Sequence, residues 1–202
     1  MIHACLQERR PFGVVLIKEG QEVGQPARPY AVGTTARIHD VERLDRGRLR
    51  LLTLGERRFH IRRVVQEAPY LAAEVVELDE ALGDPAALRV ATSQAVQLFS
   101  QYCQLLVRLG ARESCMPELA PDPVTLSYQI GAWLQVDLEE KQALLEAPST
   151  LERLTAALRL LRRERPLLER LAGAQGPAGS QARGGVERRQ RGDGSQPFFS
   201  AN

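Results

Sequence analysis

The sequence predicts an α+β protein, a small antiparallel β-barrel followed by an α-helical bundle, and three observations predict it. Residues 31–61, AVGTTARIHDVERLDRGRLRLLTLGERRFHI, alternate in polarity around turn residues with no helical pattern between them. From Asp84 onward the apolar residues recur at three- and four-residue steps instead. At Gly173 the composition changes again, to Gly, Ser, Gln and Arg with almost nothing to bury. Short, twisted strands without intervening helices favour an antiparallel barrel over a parallel sheet. The predicted divisions are therefore a barrel over 1–80, a bundle over 84–172 and a disordered tail over 173–202.

The first residues, 1–8, permit a helix that ends ahead of Arg10-Pro11, because Pro disfavours helical geometry in the residue before it. FGVVLIK, residues 12–18, is a continuous β-branched run and predicts a strand buried on both sides. Residues 20–29 hold Gly20, Gly24, Pro26 and Pro29 and predict a loop. In the next strand Val32, Thr34, Ala36 and Ile38 share one face, with Thr35, Arg37 and His39 on the other. Val41 and Leu44 fall out of that parity, which predicts a β-bulge near Asp40. Asp45-Arg46-Gly47 supplies a hairpin turn, and in the return strand Arg48 and Arg50 alternate with Leu49 and Leu51. Gly55 interrupts that strand before Arg58, His60 and Arg62 alternate with Phe59 and Ile61. Residues 70–78, YLAAEVVEL, give one more strand, with Leu71, Ala73 and Val75 on one face.

Asp84-Pro85 is a helix start, an N-cap followed by a proline suited to the first turn. Leu88, Ala91, Ala95, Leu98, Tyr102, Leu105 and Leu109 then form one stripe, and Gly110 ends it. Asp122-Pro123 repeats the start signal ahead of Leu126, Ile130, Trp133 and Leu134. Asp137 with Glu140 predicts a capping box for LEEKQALLE, which Pro148 stops. Ser149 with Glu152 opens a last helix striped by Leu151, Leu154, Leu158 and Leu161, and Pro166 is expected to kink or end it at a cost of about 3 kcal/mol. The helical spacing of Tyr102, Tyr128 and Trp133 among Leu and Ile assigns these aromatics to core packing.

VGTTARI, the turn at Asp45-Arg46-Gly47-Arg48 and LLTLGERRFHI together resemble the N-terminal substrate-binding domain of Lon protease, which has a PUA-like barrel fold. DPVTLSYQIGAWLQVDLEEKQALLEAPSTLERL resembles the helical bundle that follows that barrel, so two blocks match in the family's order over most of residues 2–170. In that family the segment resembling IHACLQERRPFGVVLI follows a further strand, whereas Met1 here falls inside the helix. The resemblance thus implies a barrel lacking its first strand and an open edge, of the kind proteins normally protect. A start assigned too late is the preferred explanation over an edge filled by a partner.

At 202 residues and 44% hydrophobic content the chain can bury a core. Its formal net charge of +2 conceals nine Arg against Asp40, Glu42, Asp45 and Glu56 between Arg37 and Arg63. Such a patch attracts phosphate or an acidic partner, but the plainer reading is a solvated strand face, since no aromatic is interleaved to stack a base. Cys5, Cys103 and Cys115 are odd in number and far apart, which suits a reducing compartment. No apolar run is long enough to span a bilayer, and MIHACLQERR lacks a signal peptide's order, so the expectation is a soluble, cytoplasmic protein without a membrane partner.

No GxxxxGK[ST] loop occurs, and the two lysines, Lys18 and Lys141, read as solvated and charged rather than as the neutral base of a Ser–Lys pair. His3, His39 and His60 are scattered and no Cys pair has zinc spacing. Asp79-Glu80 and Glu139-Glu140 are better explained by capping and solvation than by acid/base work. The reading is of no enzyme, no cofactor, no metal and no catalytic residue. What the resemblance implies instead is recognition of unfolded or tagged polypeptide through apolar surface and exposed strand edges, linked to ATP-dependent proteolysis, on residues that the sequence does not identify. The alternatives are an RNA-binding module using Arg48, Arg50, Arg58 and Arg62, and an adaptor or regulator of a AAA+ protease. Nucleic acid ranks below polypeptide as the partner. Phe198 and Phe199 stand out in the tail as a short docking motif or an unselected end.

Overall fold

Turn residues and alternation divide the first half of the chain into short antiparallel strands, and the computed structural model describes them within residues 1–20, 27–66, 70–111 and 117–174. The expected tail beyond Ala174, with Phe198 and Phe199, lies outside the described residues, as do Cys115 and residues 21–26 of the expected loop. The chain divides into two units, Met1–Asp79 and a second beginning at Glu80.

In the first unit, helix α1 (Ile2–Glu8) ends on Arg9, whose φ of 51° turns the chain so that the Arg10 amide returns to the Cys5 carbonyl at 3.1 Å. Strands β1 (Phe12–Val14), β4 (Val32–Arg43), β5 (Leu49–Gln66) and β6 (Ala72–Glu77) form one sheet in the order β1-β4-β5-β6, while β2 (Ile17–Glu19) pairs with β3 (Arg28–Pro29) in a second. Every pairing is antiparallel. Among the described residues neither sheet closes on itself, so the expected closed barrel is replaced by an open ladder with β1 and β6 at its edges.

The run 12–18 is also not one doubly buried strand. It breaks at Val15-Leu16 and hands its two ends to different sheets, and no residue of it is fully buried. Hydrophobicity was read correctly there, but a continuous apolar run does not reveal a change of partner.

The β4–β5 hairpin closes through a 3-10 turn at Asp45–Gly47, with Gly47 at φ 74° and the Leu44 amide bonded to the Arg48 carbonyl at 2.9 Å. The bulge expected near Asp40 is present: Ile38 faces Thr53 and Asp40 faces Leu52, leaving His39 as the extra residue. Gly55 does not interrupt β5. Beside it lies a second bulge, where Thr34 faces Arg58 and Ala36 faces Gly55, so Glu56 and Arg57 together oppose Thr35. The Thr35 hydroxyl replaces the lost ladder bond by accepting from the Arg57 amide at 3.1 Å. Ala36 and Phe59 are the buried apolar residues of this unit. Gly33 lets the Phe59 ring and the β1 end close in, since a Cβ there would lie 2.5 Å from the Val14 carbonyl oxygen.

The second unit holds α2 (Pro85–Arg108), α3 (Pro123–Trp133), α4 (Leu138–Glu146) and α5 (Thr150–Ala174). The carboxylates of Asp84 and Asp122 accept from the Ala87 and Thr125 amides at 2.7 and 2.8 Å, as N-cap residues do. Asp137 makes no side-chain cap, whereas the Glu140 carboxylate, which pairs with Arg163 at 2.5 and 2.7 Å, also takes a backbone hydrogen bond from Asp137, so only the Glu140 half of the expected capping box forms. The α5 start follows expectation, with Ser149 Oγ accepting from the Glu152 amide at 3.2 Å.

α5 continues unbroken through Pro166 to Ala174, past the expected end of the bundle at residue 172. Arg162 and Arg165 on α5 donate to Gln94 and Gln101 on α2, both at 3.0 Å, which sets these two long helices parallel and supports the turn that the proline weakens. Phe99, Tyr102, Leu126, Ile130, Leu134, Leu154, Ala157 and Leu161 form the core, with Trp133 packed against it. Tyr102 is usable there because its hydroxyl accepts from the Gln135 amide at 2.9 Å.

Candidate functional site

Buried charge is the first place to look for chemistry, and the second unit has one such cluster. Arg153 is 1% exposed and donates from Nη1 to Glu80 Oε1 at 2.8 Å and to Ser127 Oγ at 3.0 Å, and from Nε to the Leu144 carbonyl at 3.1 Å. Its guanidinium carbon lies 3.9 Å from the centroid of the Tyr128 ring. Glu80 also accepts from Tyr128 Oη at 2.6 Å and Thr150 Oγ1 at 2.9 Å. Burial alone would push the Glu80 carboxyl up, but the hydrogen bonds from Arg153 and Tyr128 and the Arg153 charge outweigh it and hold the group below the usual carboxylate range. A carboxylate so fully engaged is a structural anchor. Its lowered pKa does not suit proton transfer near neutrality.

The other reactive side chains are no better placed. Cys103 lines a groove with Val107, Pro117 and Leu119, and burial pushes its thiol up to about 11, away from the thiolate a nucleophile needs. Lys18 is exposed, 5.8 Å from the Tyr30 ring centroid. Lys141 is half-buried rather than fully solvated; its Nζ donates to the Ala132 carbonyl at 3.2 Å, and burial lowers its pKa. Among the described residues no three His, Cys, Asp or Glu gather to hold a metal ion, and no helix is long and apolar enough to cross a membrane.

The arginines named for RNA do not share a surface. Arg50 pairs with Glu42 at 2.8 Å, and Arg48 beside it donates from Nε to the Asp45 carbonyl at 3.4 Å. The bulge at Glu56-Arg57 inserts an odd step into β5, so Arg58 comes out on the face opposite Arg48 and Arg50, where it is 5% exposed. Arg62 sits in a further bulge, between Ile61 facing Val75 and Arg63 facing Glu74. Arg37, Arg57 and Arg63 are matched by Glu56, Glu77 and Glu74. The basic excess in the sequence is thus divided between two faces, with Arg37, Arg50, Arg57 and Arg63 each paired to a glutamate. Simple alternation put Arg58 with Arg50 because the period-two rule has no means of counting a bulge.

On the Phe59 side the ladder leaves several apolar residues open among charged ones. Leu54 faces Arg37 and Phe59 faces Gly33 with no irregularity in β4 between them, which puts Leu54 on the Phe59 side of the sheet. Phe59 faces Glu77, and Val64 faces Ala73, so Val75 and Val64 lie on that side too. Phe59 is covered, but Leu54 is 56% and Val75 44% exposed, and Leu52 and Val64 are exposed with them. Scattered exposed apolar residues are ordinary; several on one face of an open sheet mark an interaction surface.

The comparisons with known proteins agree on one family. The model of the ATP-dependent protease La (LON) substrate-binding domain matches residues 1–163. Lon protease of Anaeromyxobacter dehalogenans is 30% identical over 84% of this chain, and Lon protease 1 of Thermus thermophilus is 32% identical over 74%. The chain spans only about a fifth of those relatives, 20% and 19% of their lengths. Among solved structures, a Lon N-terminal domain protein from Xanthomonas campestris superposes with a TM-score of 0.55 at 21% identity, over 78% of this chain and 80% of that one. The N-terminal domain of Mycobacterium avium complex Lon protease gives 0.51 at 22% identity, over 74% and 77%. These two establish likeness of fold. On the family match and the sequence relatives, the chain belongs to the ATP-dependent protease La (LON) substrate-binding domain family.

Proposed function

We propose that this chain recognises unfolded or tagged polypeptide, has no chemistry of its own, and serves ATP-dependent proteolysis by holding substrate. The observation that carries this reading is the set of uncovered apolar residues on one side of β5 and β6, among them Leu52, Leu54, Val64 and Val75. Folded proteins bury side chains of that kind, whereas unfolded chains present them, so an exposed apolar face discriminates between the two states without reading a sequence. Family membership supports the substrate-binding role, and the relatives are named as proteases. A PUA-like relationship of the first unit, with its sheet open as described, belongs to the same proposal. Within this reading the partners are the unfolded or tagged polypeptide and a AAA+ protease.

The test uses one protein in two states, native and permanently unfolded by reduction and carboxymethylation, presented to the intact chain at low and high salt beside an RNA. Retention of the unfolded form alone, undiminished by salt, is the expected result. Salt-sensitive retention of RNA alone would replace this reading with the nucleic-acid one, since phosphate contacts release counterions.

A further inference from the structure

β6 has β5 on one side, and among the described residues no strand on the other. A strand in that position presents a row of backbone donors and acceptors with no ladder partner, and only another extended chain can satisfy them in register. Val75 and Val76 are both exposed, and there is neither a proline nor a lysine in Ala72–Glu77 to blunt the edge.

The charge around this strand is one-sided. From Tyr70 to Asp84 the chain carries Glu74, Glu77, Asp79, Glu80 and Asp84 and no basic residue. Glu80 is committed to Arg153 and Asp84 to the α2 cap. Glu74 and Glu77 meet Arg63 and Arg57 at 2.6 and 3.6 Å across the ladder, in pairs open to water that leave carboxylate oxygens available, and Asp79 is exposed. A second copy is a poor occupant. Antiparallel pairing of two β6 strands about Val75 and Val76 would set Glu74 directly opposite Glu77 twice over.

Resting on the substrate-binding reading above, we infer that β6 takes its substrate as an added strand, and that the preferred segment is extended, apolar at alternate positions and basic at those between. The bound segment extends the β1-β4-β5-β6 sheet by one strand. Its backbone pairs with β6, its apolar side chains continue the Val75 face, and its Lys or Arg side chains meet Glu74 on the opposite face, while Glu77 and Asp79, which share the Val75 side, add to the negative field along the edge.

Fluorescence anisotropy of a labelled peptide of alternating Val and Lys, titrated with the intact chain, tests this. Two further peptides carry N-methyl groups on every second amide, one in each frame. A strand bound along one edge directs alternate amides to the protein, so one methylated frame should weaken binding about tenfold or more while the other stays within about twofold. A peptide with Glu in place of Lys should bind about tenfold more weakly at low salt. Equal behaviour of the two frames, or equal binding of the Glu peptide, overturns the inference, as does a β6-mediated dimer detected by sedimentation. The unfolded carboxymethylated protein, titrated in parallel, separates the two levels. If it binds while the frames behave alike, the strand-addition mode fails and the substrate-binding role stands; if nothing binds, both fail.

Discussion

Arg153 Nη1 donates to Glu80 Oε1 at 2.8 Å across 73 positions of sequence, joining the first residue of the second unit to the interior of α5. Breaking such a pair from the cationic side leaves a carboxylate among groups arranged for its counter-ion, so Arg153→Ala should destabilise the second unit by about 3–5 kcal/mol. Glu80→Gln retains part of the hydrogen bonding and should cost less, about 1–3 kcal/mol. Urea denaturation of the intact chain followed by helical circular dichroism checks both, and equal, small effects would show that the pair is peripheral.

The same contact sets an acid limit. Because the folded-state pKa of Glu80 is depressed, its contribution is complete above the ordinary glutamate value and is lost as pH falls through the folded one. Asp122, held down by the Thr125 amide, adds in the same direction. Stability of the second unit should therefore be level from neutrality to about pH 5 and decline below it, and Glu80→Gln should flatten that decline. Thermal melts of both proteins between pH 3 and 7 measure the difference.

Three aspartates precede helices in this chain, and only two of them cap with their side chains. Asp84→Ala and Asp122→Ala should each cost about 1 kcal/mol, whereas Asp137→Ala should cost less than about 0.5 kcal/mol because its side chain makes no cap. Chemical denaturation of the three variants ranks them directly.

In the first unit Gly33 is the least replaceable position. A methyl group there meets the Val14 carbonyl oxygen and Val15 Cγ1 at 2.5 Å and Phe59 Cζ at 2.8 Å, and a backbone oxygen has little freedom to retreat. Gly33→Ala should destabilise this unit by about 1–3 kcal/mol or displace β1 from β4. Gly173→Ala, with nothing within 4 Å of the new carbon, is the matched control and should be neutral or slightly stabilising. Hydrogen exchange at the β1–β4 amides distinguishes loss of pairing from a uniform loss of stability.

The helices were legible in the sequence because their start signals act within three residues: Asp84, Asp122 and Ser149 each cap the helix that follows. Phe99 was missing from the expected α2 stripe although it is fully buried, since α2 offers apolar residues on neighbouring positions and the choice of Phe99 over Leu98 is made by what packs against it. The strands were legible as strands, and the bulge at His39 with them, because Val41 and Leu44 visibly break parity. The bulge at Glu56-Arg57 is marked only by Gly55 beside it, which shows an irregularity but not the change of face. It is made by the Thr35 hydroxyl on the partner strand, twenty-two positions away, and it decides which face Arg58 takes. The candidate surface was illegible for a related reason. Leu54 and Val75 have the composition of a core, and only the strand order shows that nothing in the described sheet covers them.

The central claim is that the apolar sheet face captures unfolded chains, and the affinity of the Leu54→Ser, Val75→Ser double variant for a carboxymethylated unfolded protein tests it most directly. Both side chains are exposed, so the variant should keep its circular dichroism and its melting temperature. Binding should weaken by about five- to tenfold, the loss expected from removing two partly accessible apolar side chains from the contact. An intact fold with unchanged affinity would contradict the account.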